Sequence, residues 1–152
     1  MAWATCENGH RHWGPWGAAG LLVLAGGEVL LQLRARWAHL GGTWSVPGGA
    51  LERRESAQQA ALREAHEELR LDAALVSVVE RHTARCGGWT YDTFVATAAA
   101  GSLRLRDTAE SEAHRWVAVD EVPDLRLHPA FRASWEATDG GLGSLVQALA
   151  RS

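Results

Sequence analysis

A single α/β domain with a mixed sheet is the fold this sequence predicts. Three observations lead there. The chain has 152 residues, enough for one core and short of two. Strand-like runs lie on both sides of one strongly patterned helix. Two short helical patterns close the chain. Hydrophobic residues make up 47% and charged residues 22%, a globular composition.

Residues 1–15 are polar, aromatic and patternless, and are read as an N-terminal extension of a domain spanning 1–152. Ala18–Ala25 (AAGLLVLA) is a buried strand, Gly26-Gly27 a turn, and Glu28–Arg34 (EVLLQLR) its hairpin partner. Residues 35–42 form a loop. The run Trp44-Ser45-Val46-Pro47-Gly48-Gly49 is a short strand entering a tight glycine turn. Residues 56–69 form a helix, with Ser56 and Gln59 spaced as a capping box. Strands follow at 76–83 and 89–96 around Cys86-Gly87-Gly88, a short edge strand at 103–105, and another strand at 115–119. Helices are expected at Pro129–Glu136 and Leu142–Ala150. No internal repeat or long linker interrupts the chain.

Composition excludes several functional classes. The net charge of -3 gives no basic face for a nucleic-acid polymer. The longest apolar stretch, 17–27, is too short for a membrane span. The N-terminus lacks a secretory pattern, so a cytoplasmic location is expected. Two cysteines, Cys6 and Cys86, do not make a disulfide scaffold. All fifteen basic residues are arginine, which fits a GC-rich genome. Cys6, His10 and His12 offer three zinc-type ligands in seven residues, but no second cluster of suitable spacing follows. No Cys–His–acid motif points to a nucleophilic side chain.

The informative segment is GGALERRESAQQAALREAHEELRL, residues 48–71. Glu64, Glu67 and Glu68 stand at i, i+3 and i+4. On a helix they share an arc of roughly 100°. Leu62, Ala65 and Leu69 take another face, centred roughly 140° away. Like charges at this spacing repel by about 0.2–0.5 kcal/mol per pair, so an offsetting cation is the natural solution. Oxygen-only ligands select a hard metal, Mg²⁺ with Mn²⁺ as a possible substitute, and leave positions for water and phosphate. Alone, such a helix is more often a solvated acidic surface. The flanking residues change that. Gly49, five residues, Glu55, seven residues, then Arg63-Glu64-x-x-Glu67-Glu68 specifies six residues at fixed spacing. Chance coincidence is below roughly 1 in 10⁵ over this length.

On that pattern the chain resembles the Nudix hydrolases. The likeness extends through LLQLR, GGTWSVPGG and ESEAHRWVAVDEV, covering roughly 16–136. Within the family, HWGPWGAAGLL, WTYDTFVA and LRLHPAF look most like MutT-type proteins of actinobacteria. The resemblance implies a Nudix-type αβα sandwich with a mixed central sheet, and a Mg²⁺-dependent pyrophosphohydrolase.

It also implies roles. Glu67 and Glu68 would be direct metal ligands, joined by the Gly48 carbonyl. Glu64 would bind metal directly or through water, or act as general base. Arg63 and Glu55 would pair to hold the Gly49 loop against the helix. Glu110, with Glu112 second, would add an acidic ligand. Arg34 would contact phosphate, and Tyr91 and His128 would line the nucleotide pocket. An ordinary surface arginine and a helix-capping histidine are the alternatives for Arg34 and His128. Asp92 can face solvent. Trp37, Trp44 or Trp89 could stack on a base, though filling the core is the commoner use of tryptophan.

Three departures stand out. Arg54 and Arg70 occupy positions where the family commonly has glycine, and the aliphatic box position is the small Ala65. The implied substrate is a small-molecule nucleotide, first an oxidised or modified nucleoside triphosphate such as 8-oxo-dGTP, cleaved to monophosphate and pyrophosphate. ADP-ribose or a nucleotide sugar is the alternative within the class. A non-catalytic nucleotide-sensing module is the alternative outside it. A monomer or homodimer is expected.

Overall fold

In a computed structural model, residues 3–5, 11–37 and 40–152 are described. The strands are β1 (Trp3–Thr5), β2 (Arg11–Trp13), β3 (Ala18–Ala25), β4 (Glu28–Arg34), β5 (Trp44–Ser45), β6 (Gly48–Ala50), β7 (Ser77–Cys86), β8 (Trp89–Thr97) and β9 (Ser111–Ala118). The helices are α1 (Ala57–Leu69), α2 (Pro129–Glu136) and α3 (Leu142–Ala150), with 3₁₀ turns at Ala73–Leu75 and Val119–Asp124.

β3 is the sheet's central strand because every residue in it is buried. It pairs in parallel with β8 over Ala18–Leu24, and β8 pairs antiparallel with β7. On its other edge β3 meets β4 only at the hairpin end, Leu24 opposite Val29 and Ala25 opposite Glu28. Beyond that the two strands part. The fork is filled by β6, paired to the start of β3, and β5, paired to the end of β4. β9 covers the far edge of β4.

Strand alternation sorts the side chains into two layers. Ala19, Leu21, Val23, Leu30, Phe94 and Ala96 face α1. Leu22, Leu24, Val29, Leu31, Val95 and Val117 face α2 and α3, where Phe131, Trp135, Leu142 and Val146 meet them. The result is a helix–sheet–helix sandwich around a mixed sheet, as the resemblance implied. The helix side of α1 in contact with the sheet is made of Ala60, Ala61, Ala65 and Leu69, all fully buried. Leu62 only flanks that core.

Several boundaries differ from the sequence expectation. Residues 48–49 are not a free glycine turn but part of β6, because their backbones find partners along β3. No strand forms at 103–105; Leu103 and Leu105 instead pack against the α1 layer as extended chain. The extension carries a two-stranded antiparallel ribbon, β1–β2, where no pattern was apparent. Cys86 is disulfide-bonded, a cross-link rather than a framework. Cys6 and His10 lie outside the described residues. His12 stacks on Trp89 with ring centroids 4.0 Å apart. Among the described residues, no helix is long and apolar enough to cross a membrane.

The α1 ends are set locally. Ser56 accepts from the Gln59 backbone N–H at 3.1 Å, and the Gln59 side chain accepts from the Ser56 N–H at 2.9 Å, completing the capping box. At the far end Arg70 adopts φ 59°, ψ 31°, and Arg54 in the preceding loop has φ 66°. Both are left-handed, the conformation glycine adopts without steric cost. Arg54→Gly and Arg70→Gly are therefore each expected to raise unfolding free energy by about 0.5–1 kcal/mol, the relieved strain less the added freedom of the unfolded chain. Urea midpoints measure this. A lowered midpoint would mean that the arginine side chains hold contacts worth more than the strain.

Candidate metal centre and active site

α1 brings its acidic arc to the mouth of the fork between β3 and β4. The three glutamates do not share one environment there. Glu68 is 4% exposed, Glu64 is half-buried, and the Glu67 side chain is 48% exposed. One oxygen each from Glu64, Glu68 and Glu110 lie within 4.8 Å of one another. Glu110 comes from the loop before β9. Glu67 stands to one side, 3.3 Å from the Arg63 guanidinium. Glu112 also points elsewhere, into a 3.1 Å ion pair with Arg36.

Arg63 organises the approach to this cluster. Its Nε and Nη2 donate to the two Glu55 oxygens at 2.7 and 2.9 Å, a bidentate pair. Nη2 also donates to the Ala50 carbonyl at 3.1 Å, and Nη1 to Glu64 Oε1 at 2.9 Å. The loop, β6 and the helix are thus tied through one side chain. Arg63 holds the Glu55 carboxyl below its usual pKa, and Glu55 with Glu64 holds Arg63 above its own.

Two glycines let the backbone close on the acids. A Cβ on Gly49 would lie 2.6 Å from the Glu64 carboxyl carbon. A Cβ on Gly48 would lie 2.5 Å from the Tyr91 hydroxyl and 2.6 Å from the Ala19 carbonyl. Only glycine allows that approach without displacement. With the chain so close, the Gly48 N–H donates to Glu68 Oε2 at 3.1 Å.

Glu68 carries the strongest electrostatic signature. Burial pushes its pKa up to about 9, with a further rise from Glu64 and Glu110, against a stabilising hydrogen bond from Gln32. Glu110 is raised by partial burial, then by Glu64 and Glu67. Such acids crowd together at a cost that a bound cation relieves. The donor set is oxygen only, which fits a hard divalent ion.

Of the pocket residues, Tyr91 reaches the same end of the sheet. Burial, then the Glu68 charge, raises its hydroxyl pKa, with Arg34 pulling the other way. Arg34 is half-buried at the end of β4. His128 is the N-cap of α2, its Nδ1 accepting from the Ala130 N–H at 3.1 Å. Its backbone N–H donates to the Trp44 carbonyl at 2.9 Å, which joins that segment to β5. Trp44 packs on the α2–α3 core with the Arg115 guanidinium 5.7 Å from its ring centroid. Trp89 donates to the Gly14 carbonyl at 2.8 Å. Trp37 is 74% exposed, so filling the core is not its use. Asp92 is half-buried and accepts a hydrogen bond from the Thr83 hydroxyl.

Sequence reasoning missed the side chains behind the cluster. Gln32 is 2% exposed and donates to Glu68 Oε1 at 2.6 Å. Thr108 donates to the Glu68 carbonyl at 2.8 Å, and the Arg106 N–H to the Leu69 carbonyl at 2.9 Å, fastening the Glu110 loop to α1. Asp107 accepts from His114 at 2.7 Å and from Ser111 at 3.2 Å within that loop. The one available signal was Gln32 itself, a polar residue at a core-facing position of EVLLQLR.

A cluster of hard oxygen donors at one end of an αβα sandwich, backed by glycines and an arginine clamp, defines the class. The sequence model described as NUDIX domain matches residues 14–137, and the chain belongs to that family. It is 45% identical over 148 residues to a Mycobacterium tuberculosis protein named "Putative 8-oxo-dGTP diphosphatase 3". That match takes in 88% of this chain and 66% of the relative, so the chain spans just under two thirds of the relative's length. A crystal structure of a Nudix hydrolase from M. smegmatis, RenU, superposes with a TM-score of 0.86 at 43% identity, covering 99% of this chain and 95% of that one. A Bifidobacterium longum "Nucleoside triphosphate pyrophosphatase/Nudix hydrolase fusion protein" is 34% identical over 96% of this chain and 32% of its own length.

Proposed function

We propose that the protein is a Mg²⁺-dependent pyrophosphohydrolase of nucleoside triphosphates, with an oxidised or modified purine such as 8-oxo-dGTP the first substrate to try. The observation that carries this reading is the convergence of one oxygen each from Glu64, Glu68 and Glu110 within 4.8 Å of one another. Relatives named as 8-oxo-dGTP diphosphatases support the substrate choice.

When bound, a divalent cation would polarise phosphate oxygens and lower the pKa of a water molecule. Glu64, Glu68 and Glu110 would hold it, with Glu67 and the Gly48 carbonyl as further ligands. Glu64, oriented by Arg63, would bind that cation directly or through water, or take the proton of the attacking water. The water oxygen bonds to one phosphorus of the diphosphate as the bridging P–O bond breaks, and the departing phosphate oxygen keeps the bonding pair, giving the monophosphate and pyrophosphate. Arg34 binds the phosphates, while Tyr91 and His128 line the nucleoside side. The sugar and base are read outside the 48–71 segment, since metal and phosphate are common to all nucleotides.

The test is a screen of 8-oxo-dGTP, dGTP, a modified CTP and ADP-ribose with Mg²⁺ or Mn²⁺, reading pyrophosphate and phosphate separately. Release of pyrophosphate that stops with excess EDTA is expected. Turnover unaffected by EDTA would sink the metal mechanism, and no turnover of any of these with tight nucleotide binding would favour a sensing module. We propose a cytoplasmic site of action on free nucleotide pools. A Cys86 disulfide that persists in protein taken from the cell under thiol-blocking conditions would count against it.

The raised Glu68 pKa makes a further expectation. The folded, metal-free chain holds a proton on Glu68 that the unfolded chain releases near the ordinary carboxylate pKa. Its contribution to stability is therefore present at low pH and is lost as pH rises through about 9. The facing groups are Glu64 and Glu110, with Gln32 donating. A cation displaces that proton, so the rise in melting temperature caused by Mg²⁺ should be larger at pH 8.5 than at pH 6. An equal rise at both pH values would show that Glu68 does not exchange a proton for metal.

A further inference from the structure

Gln32 follows the buried apolar run Val29–Leu31 of β4 and is itself buried. Its neighbours on the α1 side of β4 are Leu30 below and, across the strands, Ser45 and His114. The side chain is 2% exposed, and its two ends are treated differently. Nε2 donates to Glu68 Oε1 at 2.6 Å. Oε1 is buried and has no hydrogen-bond partner. His114, a polar neighbour by register, gives its Nδ1 to Asp107 instead. Leaving a buried carbonyl unpaired costs about 1–3 kcal/mol, a cost the fold alone gives no reason to carry.

The amide geometry limits where that carbonyl lies. Its oxygen and nitrogen are about 2.2 Å apart, so Oε1 is within about 5 Å of the Glu68 oxygen that Nε2 touches. It therefore sits at the edge of the carboxylate cluster. Both Glu68 oxygens already accept one protein donor each, Gln32 on Oε1 and the Gly48 N–H on Oε2. That fixes the plane of the carboxylate and leaves each oxygen a second lone pair for a cation. A hard divalent ion keeps several water ligands, and those waters are hydrogen-bond donors.

We propose that Gln32 is a positioning residue of the metal centre: its amide N–H orients Glu68, and its unpaired carbonyl accepts a hydrogen bond from a water in the cation's shell. This rests on the metal reading given above. The assignment differs from a packing role in what it costs to remove. A packing glutamine lost to an apolar side chain of equal length leaves metal affinity alone. A positioning glutamine lost in the same way weakens the metal and relieves an unpaired polar group.

The experiment uses Gln32→Met, matched in length and free of hydrogen bonds, with Gln32→Leu as a second shape. Mn²⁺ binding to the protein without nucleotide is followed by electron paramagnetic resonance, and melting is recorded in EDTA. Mn²⁺ affinity should fall about 10–100-fold, as for other groups that orient metal ligands. The melting temperature in EDTA should be unchanged or higher. At saturating metal kcat should fall while the nucleotide KM moves less than twofold. Unchanged Mn²⁺ affinity, a marked drop in melting temperature in EDTA, or failure of both variants to fold would overturn the assignment. Glu68→Gln is the control. If it loses Mn²⁺ affinity and Gln32→Met does not, only the role of Gln32 fails. If Glu68→Gln keeps wild-type affinity, the metal reading fails and takes the role of Gln32 with it.

Discussion

Glu68→Gln should lower kcat by on the order of 10²–10³-fold, the scale of losing one fixed group that stabilises transition-state charge, while leaving the metal-free fold intact or firmer. Glu68 is 4% exposed, and its carboxylate is crowded by Glu64 and Glu110. A neutral amide of the same shape replaces a buried acid that is costly to ionise beside Glu64 and Glu110, so the substitution takes strain out of the fold as it takes a ligand out of the centre. Two readouts separate these effects. Melting in EDTA at pH 8 should hold or rise, and the extra stability conferred by Mg²⁺ should vanish. A variant that melts lower yet keeps wild-type kcat would show Glu68 to be a framework residue and would end the metal assignment.

Arg63→Ala should have the larger effect on stability. The guanidinium donates to both Glu55 oxygens, to Glu64 and to the Ala50 carbonyl. Its removal leaves the Glu55 side chain, only 12% exposed, with one remaining donor, the Glu52 N–H. Losing charge-assisted bonds of this kind costs about 2–3 kcal/mol, or roughly 5–10 °C in melting temperature for a domain of this size. Activity should fall as well, because Glu64 loses the group that orients it. Arg63→Lys keeps the charge but cannot span two carboxylate oxygens and a carbonyl at once, and should recover little. If the lysine variant matches wild type in melting temperature and kcat, the fork geometry of the arginine is not needed and a point charge suffices.

Much of this site was readable in the chain because it is local. The α1 helix, its capping box and the Arg63–Glu55 pair lie within residues 55–69, so spacing along one helix sets their geometry. The left-handed turns at Arg54 and Arg70 were legible for the same reason, as positions where glycine is the usual solution. Glu110 was reached by its place before the later strand. What stayed hidden depends on contacts between distant segments. Gly48 and Gly49 look like a turn, yet they pair with β3 because β4 has already left that edge open. Gln32 meets Glu68 across 36 residues of chain, and no periodicity links the two. The residues after Ala98 have apolar character at Leu103 and Leu105 but spend it on the helix layer, not on a sheet edge. Glu67 shares the acidic arc by spacing, but it also stands one turn from Arg63 and its side chain is 48% exposed.

The alanine surface of α1 sets a distance as well as a contact. With Ala60, Ala61, Ala65 and Ala19 in the seam, α1 and the central strand meet largely through small side chains. That spacing determines how far a glutamate on the adjoining face must reach to arrive beside Gly48. A larger residue in the seam could be absorbed by a small outward shift of the helix, and the hydrophobic layer would even gain buried area. The carboxylates would travel with it, away from Gln32, Gly48 and Glu110. Sequence drift in this protein is therefore constrained on the side of the helix that touches no ligand. Variants selected only for heat resistance should enrich bulkier seam residues and lose activity together, whereas variants selected for turnover should keep the seam at alanine or glycine size.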